Sequence, residues 1–337
     1  MAVLFWCMEI RQQKSTCCSA RVRRYGGKRR QCAACKQTWR VYPAKRGPKK
    51  RRPDVHLLEL YRCNCIGSLA AHAQRTSYTP STIQRRVVSA RESVVRAAAK
   101  ESMTCVEPHI LLADALHQKI GAVQYVTYLI LVRPLRSNRA AVCATTTARG
   151  AETGIGWQRA LSHVPSEMLA QTRALVSDGH RGLLRIARQR GWVQQRCCFH
   201  VLKELNKNMR LWHRATPETY WVHELVHIVL ESPDDERVSR VLGLLSDYAM
   251  QTPRTEVASI LRGLVQNFRD YRSYLYYPEL HLPATNNSCE SSFRRVRALQ
   301  NKARGWRTPT AYEGWVTYVL RNSKDVQCLE GQPKLCG

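Results

Sequence analysis

One stretch of the chain places a single carboxylate at the start of a basic helix, and it reads Thr285-Asn286-Asn287-Ser288-Cys289-Glu290-Ser291-Ser292-Phe293-Arg294-Arg295. We expect Thr285 or Asn286 to cap this helix, because a short side-chain oxygen accepts from the free N–H groups of the first turn. Glu290 then lies near the positive end of the helix dipole, which favours an ionised acid. Two interpretations fit: a Glu290–Arg294 ion pair one turn apart, or a metal ligand within a phosphate-binding surface.

The charge of the whole chain favours the second interpretation. The 337 residues include 54 Lys and Arg against 25 Asp and Glu, a formal net charge of +29. Such an excess repels itself unless a polyanion is bound, so nucleic acid is the expected partner and an anionic membrane surface is the alternative. No apolar run reaches the roughly 18 residues of a membrane span. The fourteen cysteines are scattered along a long chain, which fits a reduced protein with one metal module better than a disulfide scaffold.

Residues 1–43 predict a zinc-ribbon-like module. Cys32-Ala33-Ala34-Cys35 is a well-formed knuckle after a Gly-containing hairpin, and zinc needs four soft ligands in a tetrahedron. The first knuckle is irregular, because Lys14 stands where the partner of Cys17 is expected. Cys17 and Cys18 could both bind Zn²⁺, Cys7 could complete the set, or the module could lack metal.

A basic linker at residues 44–53 leads to a predicted helix-turn-helix domain at residues 54–100. Thr79-Pro80 is a strong helix start, because threonine caps the helix and proline suits its first position. The helix that follows carries Gln84, Arg85 and Arg86, which would face the major groove of DNA. Any three-helix module gives a similar pattern, and the alternative is a purely structural unit.

Two aspartates follow apolar runs in the middle of the chain. Residues 110–113 predict a short buried strand that ends at Asp114, and residues 174–177 predict another that ends at Asp178. Capping of the next helix would explain Asp178, whereas no helix clearly begins after Asp114. With Glu290 they form an acidic trio, which can hold two Mg²⁺ or Mn²⁺ ions that activate the attacking and leaving oxygens of a phosphodiester.

Four motifs follow in order along the chain: Asp178-Gly179; Gln195-Arg196-Cys197-x-x-His200; Thr285-Asn286-Asn287-Ser288-x-Glu290-Ser291; and Arg304-Gly305-Trp306-Arg307-Thr308. These motifs resemble those of the Mutator-like superfamily of DDE transposases, which includes bacterial insertion-sequence members. The order of predicted elements is also similar to the ribonuclease H-like fold of DDE transposases: three strands, a helix, a strand with the second aspartate and a helix with the final glutamate.

This resemblance implies an α/β fold with a ribonuclease H-like catalytic core at residues 105–200 and 284–325. An all-helical insertion at residues 201–283 interrupts the core, and a tail follows at 326–337. The implied catalytic residues are Asp114, Asp178 and Glu290. The implied partners are the terminal inverted repeats of a mobile element, target DNA and a second subunit on paired ends. The protein would associate with the nucleoid in the cytoplasm of a prokaryote, or enter the nucleus of a eukaryote.

The resemblance also draws attention to residues around the trio. Cys197 and His200 match its Cys-x-x-His step, but two ligands alone make a poor zinc site, so we expect a structural role near the site. His200 is expected near the scissile phosphate, although a core cysteine and a capping histidine would give the same pattern. A basic strip that would lie on bound DNA comprises Arg294, Arg295, Lys302, Arg304 and Arg307.

The helical insertion contains a motif with a different chemistry. His223-Glu224-Leu225-Val226-His227 matches H-E-x-x-H, in which two histidines bind zinc and the glutamate activates water. A peptidase would also need a third ligand, for which Glu256 is a candidate, and it has no use for the high positive charge. A solvated polar stripe on an amphipathic helix explains the motif equally well. Cap-and-proline pairs predict helix starts at Thr216-Pro217, Ser232-Pro233 and Thr252-Pro253.

The sequence thus supports three hypotheses for function. The first is a transposase that binds the ends of its element and performs metal-dependent strand cleavage and strand transfer. The second is a catalytically inactive DNA-binding protein derived from a transposase, which the irregular first knuckle would suit. The third is an H-E-x-x-H metallopeptidase.

Overall fold

The computed structural model describes residues 20–24, 29–40, 57–58, 69–76, 78–100, 105, 107–209, 216–303, 306, 308–321 and 326–327. The chain divides into two compact units, residues 1–52 and residues 53–337. The predicted basic linker at 44–53 lies outside the described residues, and so does most of the first predicted helix around Leu57 and Leu58.

The first unit contains a small antiparallel sheet. Its strands are β1 (Val22–Arg24), β2 (Arg29–Cys32) and β3 (Thr38–Arg40), in the order β1-β2-β3. Cys32 ends β2 and is fully buried, whereas Cys35 lies exposed in the following turn. Cys17 and Cys18 lie outside the described residues, so the zinc site stays a prediction.

A mixed sheet forms the centre of the second unit. Its strands run in the order β8-β7-β4-β5-β6-β9; β5 is antiparallel to both of its neighbours, whereas β4, β7 and β8 are parallel. The apolar runs in β4 and β5 are almost continuous because both faces of these strands are buried. The bounds are β4 (His109–Ile120), β5 (Val123–Pro134), β6 (Arg139–Arg149), β7 (Thr172–Ser177), β8 (Val193–Arg196) and β9 (Val326–Gln327).

Helices cover both faces of this sheet. On one face, Trp157 of α3 and Leu183 of α5 pack on β4, β5 and β7. On the other face, Phe293 of α12 and Tyr312 of α13 share a core with Ile83 of α2. The bounds are α1 (Leu69–Gln74), α2 (Pro80–Lys100), α3 (Gly154–Leu161), α4 (Ser166–Gln171), α5 (Arg181–Gln189), α12 (Asn287–Ala303) and α13 (Pro309–Arg321). The predicted mixed α/β class is therefore confirmed.

Two elements are longer than the sequence predicts. β4 spans twelve residues, so the expected short strand ending at Asp114 is wrong and Asp114 lies in the middle of a strand. The sequence predicts that helix α2 ends at Arg91, but it extends to Lys100 and contributes Ile83, Val87 and Ala90 to the same core as α12 and α13. This burial makes α2 part of the second unit, while the helix-turn-helix stays a prediction.

A cluster of helices between β8 and α12 has a hydrophobic core of its own. It comprises α6 (Cys198–Met209), α7 (Pro217–Glu231), α8 (Asp235–Gln251), α9 (Thr255–Gln266), α10 (Phe268–Tyr271) and α11 (Ser273–Tyr276). Thr216 caps α7 with Pro217 at its first position, as predicted. The other two predicted starts are wrong by two residues: Ser232 and Thr252 follow the ends of α7 and α8, and the next N-caps are Asp234 and Arg254.

One buried arginine ties these helices together. Arg272 is 1% exposed, and its guanidinium donates to the carbonyl oxygens of Val229 and Ser232 and to Oδ1 of Asp235. The Arg272 side chain therefore joins the turn between α7 and α8 to the segment between α10 and α11. None of the described helices combines the length and the apolar character needed to cross a lipid bilayer.

We predict that Arg272→Met lowers the free energy of unfolding by about 3 kcal/mol, because buried carbonyl groups lose their donors. Arg240→Met on the exposed side of α8 is the matched control and should change it by less than about 0.5 kcal/mol. Urea unfolding followed by circular dichroism measures both. Equal effects of the two substitutions would contradict this role of Arg272.

Candidate active site

Strand pairing brings two of the three predicted acids to the same place. β4 and β7 run parallel with Leu112 opposite Val176, and Asp178 is near enough for its charge to act on Asp114. Asp114 is 6% exposed, and its Oδ1 accepts from the backbone N–H of Ala115 at 2.8 Å. Asp178 follows the end of β7, and its Oδ1 accepts from the N–H of His180 at 3.0 Å.

Asn286 connects the third acid to this pair. Its side-chain amide donates to the carbonyl oxygen of Ala113, the residue before Asp114, at 2.8 Å. Its own carbonyl oxygen accepts from the N–H of Glu290 at 3.2 Å. Asn286 is fully buried, and its side-chain oxygen has no hydrogen-bond partner. The expectation that the Asn286 side chain caps α12 is therefore wrong, because this side chain instead fixes the start of α12 on β4.

Cys197 completes the connection to the second aspartate. The N–H of Cys197 donates to the carbonyl oxygen of Ser177, next to Asp178, at 2.7 Å. The Sγ atom of Cys197 accepts from the N–H of Asn286 at 3.1 Å. Complete burial raises the pKa of Cys197 to about 12, so the thiol stays neutral. Cys197 therefore acts as a structural link between β7 and α12.

The charges around Asp114 repel one another. Burial is the main cause that raises the pKa of Asp114 to about 8, followed by the charge of Asp178, while the N–H of Ala115 opposes the shift. The charges of Glu290 and Glu152 raise this pKa further. In the absence of a cation, Asp114 thus holds a proton at neutral pH.

Glu152 is an acid of this region that the sequence did not single out. Its Oε1 accepts from the indole N–H of Trp157 at 2.7 Å, and its Oε2 lies 3.2 Å from Nε2 of His117. Nδ1 of His180 lies 3.9 Å from Oε1 of Glu152. Nothing in the turn-rich stretch before α3 marks this residue, since its role depends on strands that are distant in sequence.

The turn after Asp178 depends on a glycine. Gly179 has φ +96°, and a Cβ atom at this position would approach Nε of Arg196 to 2.3 Å. The guanidinium of Arg196 also lies 4.7 Å from the ring centroid of Tyr271. Arg196 therefore packs between the Asp178-Gly179 turn and the helical cluster.

His200 lies beside Glu290. Its Nε2 is 3.8 Å from Oε1 of Glu290, while its Nδ1 is buried without a hydrogen-bond partner. Both side chains are about one-quarter exposed, so this edge of the site is open to solvent.

Asp114, Asp178, Glu290 and Glu152 are near enough for their charges to interact, but their side chains do not meet at a single point. Within the described ranges, no three His, Cys, Asp or Glu side chains are close enough to form a ready-made metal site. The donor set nevertheless suits a hard divalent cation, because it consists of carboxylate oxygens. A cation would also relieve the repulsion that raises the pKa of Asp114.

The H-E-x-x-H motif lies on α7, away from any such gathering of acids. The rings of His223 and His227 are 4.5 Å apart, and Nδ1 of His227 lies 3.0 Å from Oε1 of Glu231. Among the described residues, no third His, Cys, Asp or Glu side chain completes a metal site with these histidines. The structure therefore gives the peptidase alternative no support.

The residues predicted to contact DNA lie on α2, on α12 and beyond its end. The guanidinium of Arg86 lies 4.5 Å from the ring centroid of Tyr78, which holds it against the protein. Gln84, Arg85, Arg294 and Arg295 are exposed, Lys302 is half-buried, and Arg304 and Arg307 lie outside the described residues.

Residues 77–327 match the family described as "Transposase, Mutator family". No curated protein matches the chain. The matched segment includes β4, β7 and α12, and with them Asp114, Asp178 and Glu290.

We predict that Asp114→Asn stabilises the metal-free protein at about pH 8 but not at about pH 4. The folded wild type loses its Asp114 proton only near the raised pKa of about 8, whereas the unfolded chain loses it near 3.8. The unfolding free energy of wild type therefore falls as pH rises through this window. Thermal melts of both proteins in EDTA measure the difference, and a difference that does not depend on pH would contradict the prediction.

Proposed function

The chain belongs to the Mutator family of transposases, and from this premise we propose that it binds the ends of its mobile element and cuts and joins DNA with Asp114, Asp178 and Glu290. One observation supports the proposal: hydrogen bonds join the segments of β4, β7 and α12 that carry these three acids. Strand cleavage and strand transfer are then the two chemical steps.

We propose a ribonuclease H-like fold for the core. The support is the order of elements along the chain: three antiparallel strands, two helices, a parallel strand that leads to Asp178, and a later helix that bears Glu290. Fold alone leaves function open, so the acids at this sheet edge carry the argument.

Asp114, Asp178 and Glu290 would hold Mg²⁺ or Mn²⁺, most simply two ions. When bound, such ions activate the attacking oxygen of a phosphodiester reaction and stabilise the leaving oxygen. The N–H of Ala115 donates to the Asp114 carboxylate and thereby orients it. Asn286 donates to the adjacent carbonyl oxygen of Ala113 and thereby fixes the start of α12 relative to Asp114. Positioning of this kind is most of what phosphoryl transfer asks of a protein.

The two steps use the same reaction at different phosphates. Water attacks a phosphorus atom at the element end, forms a bond to it and displaces the 3′ oxygen, which leaves as a 3′-OH. That hydroxyl then attacks a phosphorus atom of the target strand and displaces the 3′ oxygen there. His200, beside Glu290 at the solvent-open edge, is suited to contact the phosphate at either step.

Positive side chains beside the acids suit a DNA backbone. Arg294 and Arg295 are exposed one turn after Glu290 on α12. Lys302, Arg304 and Arg307 continue this basic strip, and Gln84 and Arg85 of α2 would read or hold the element end. We propose a dimer or higher oligomer on paired ends, because two ends must be joined. The zinc-ribbon-like module at 1–43 would contribute to end binding, with or without Zn²⁺.

The first test is nicking of supercoiled DNA in Mn²⁺ or Mg²⁺ by wild type and by Glu290→Gln. We expect wild type to nick the plasmid and Glu290→Gln to lose at least about 10²-fold in rate, because a carboxylate of the trio becomes neutral. The matched control is Glu256→Gln on α9, an exposed glutamate that should keep the wild-type rate. Gel-shift assays should show equal DNA binding by all three proteins.

Plasmids that carry candidate element ends from the DNA flanking the gene are used beside plain plasmid. Tight binding of such ends without any metal-dependent nicking would favour the catalytically inactive DNA-binding protein. Nicking that survives Glu290→Gln would contradict the assignment of the trio.

We predict that Asn286→Ala lowers the nicking rate about 10²-fold while DNA affinity stays within about twofold, since a small misplacement of catalytic groups has this cost. The rate should also need more Mn²⁺ to saturate, which a simple loss of stability would not cause. Asn301→Ala, an exposed position on the same helix, is the control. Unchanged Mn²⁺ dependence in Asn286→Ala would contradict the positioning role.

A further inference from the structure

The helices α7–α11 are acidic in an otherwise basic chain. Residues 216–283 hold ten of the 25 Asp and Glu residues but only six of the 54 Lys and Arg residues. Phosphate repels such a surface, and DNA affinity depends on neutralising phosphates with cations. These helices are therefore the part of the second unit least suited to hold DNA.

The acidic helices expose the large apolar side chains of Tyr220, Trp221 and Leu244, and with the half-buried Tyr248 these form what we call the α7–α8 patch. Tyr220 is 59% exposed, Trp221 is 44% exposed and Leu244 is 47% exposed. The rings of Trp221 and Tyr248 are 5.9 Å apart, and Leu244 lies one turn before Tyr248 on the same helix. Trp221 and Tyr248 thus join the two helices within the patch.

Carboxylates border the α7–α8 patch. The hydroxyl of Tyr248 donates to Oε1 of Glu218 at 2.6 Å, which places this acid at the base of the patch. Glu224 and Asp247 are exposed on α7 and α8, each within a turn of a patch residue. Two cations are also near: Arg254, whose charge acts on Tyr248, and Arg240, which is exposed one turn before Leu244.

Exposed aromatic rings with carboxylates beside them are suited to arginine. A guanidinium stacks on the face of Trp or Tyr and also pairs with a carboxylate, which lysine does less well. Interfaces between proteins are enriched in Trp, Tyr and Arg for the same reason. The partner of this patch should therefore be a protein surface rich in arginine.

This chain itself offers such a surface. Helix α5 exposes Arg181 and Arg185, which are four residues apart and therefore share one face of the helix. The patch is negative and apolar while the rest of the chain is strongly positive, so two copies are complementary without any other component.

We infer that the α7–α8 patch is a docking surface for a second copy of this chain, which contacts it with arginine side chains. The inference rests on the proposed function in one respect: that function requires two copies to meet, because two element ends must be held together. Self-association is measured without DNA, so its failure is distinguishable from a failure of strand cleavage.

Sedimentation velocity of the full chain without DNA, over about 1 to 50 µM, tests the inference. Wild type should self-associate, and Leu244→Arg should raise the dissociation constant at least about tenfold, because it places a cation where the partner's arginines dock. The matched control is Ile155→Arg on α3, where an isoleucine is 71% exposed outside the patch. It should change the dissociation constant less than about twofold. Thermal melts establish that both variants fold.

A second variant removes the apolar contact without adding charge. Trp221→Ala should also weaken self-association, and added salt should weaken the wild-type dimer as it screens the carboxylates. A monomeric wild type at 50 µM would overturn the inference. So would equal effects of Leu244→Arg and Ile155→Arg. A change in DNA affinity by Leu244→Arg with unchanged self-association would identify the patch as a DNA contact, and would equally overturn it.

Discussion

The hydrogen bond from the Asn286 amide to the carbonyl oxygen of Ala113 joins residues 173 positions apart. With the bond from the Asn286 N–H to Cys197, it brings three distant segments of the chain to one edge of the sheet. Asp114 follows Ala113, Glu290 lies one turn after Asn286, and Cys197 in turn donates to the carbonyl oxygen of Ser177, the residue before Asp178. The geometry of the site thus depends on a few buried polar contacts, which a low local dielectric makes both strong and costly to lose.

These contacts explain why the helical cluster can be so large without disturbing the site. Helices α6–α11 enter the chain after β8 and end before α12, and they have a hydrophobic core separate from those on the two faces of the sheet. Cys197 directly precedes this helical cluster and Asn286 follows it, and the two residues are hydrogen-bonded to each other. The cluster is therefore held at its base, and its size places no demand on the positions of Asp178 and Glu290.

Local signals allowed much of this architecture to be predicted from the sequence. Thr216-Pro217 marks the start of α7, and the apolar run before Asp178 marks β7. The pairs Ser232-Pro233 and Thr252-Pro253 gave wrong helix starts. Ser232 and Thr252 cap the end of one helix, and the next helix begins only a few residues later, so the sequence pattern of an N-cap appears at a C-cap. The full length of β4 was not predicted. The prediction followed the apolar run, but the strand continues after Asp114 through polar residues that are only partly buried.

The contacts that position the site could not be predicted, because they join residues far apart in the sequence. Asn286 was one of two residues, with Thr285, that were expected to cap α12, which is the local role of an asparagine at that point. Only the packed fold reveals that its amide bonds to β4 instead, and that its side-chain oxygen has no partner. Glu152 was missed for the same reason, since its charge matters only where α3 meets β4.

Burial of Asp114 lowers the stability of the folded protein. A carboxyl group whose pKa rises to about 8 opposes folding wherever the unfolded chain would ionise it, so an apolar residue here would serve stability better. Selection for stability alone would remove such a group, because cores with unpaired acids are weaker than apolar ones. The surrounding contacts instead hold Asp114 in place: Ala115 donates to it, and Asn286 secures the adjacent carbonyl. The cation site proposed above would account for a buried acid that is supported in this way.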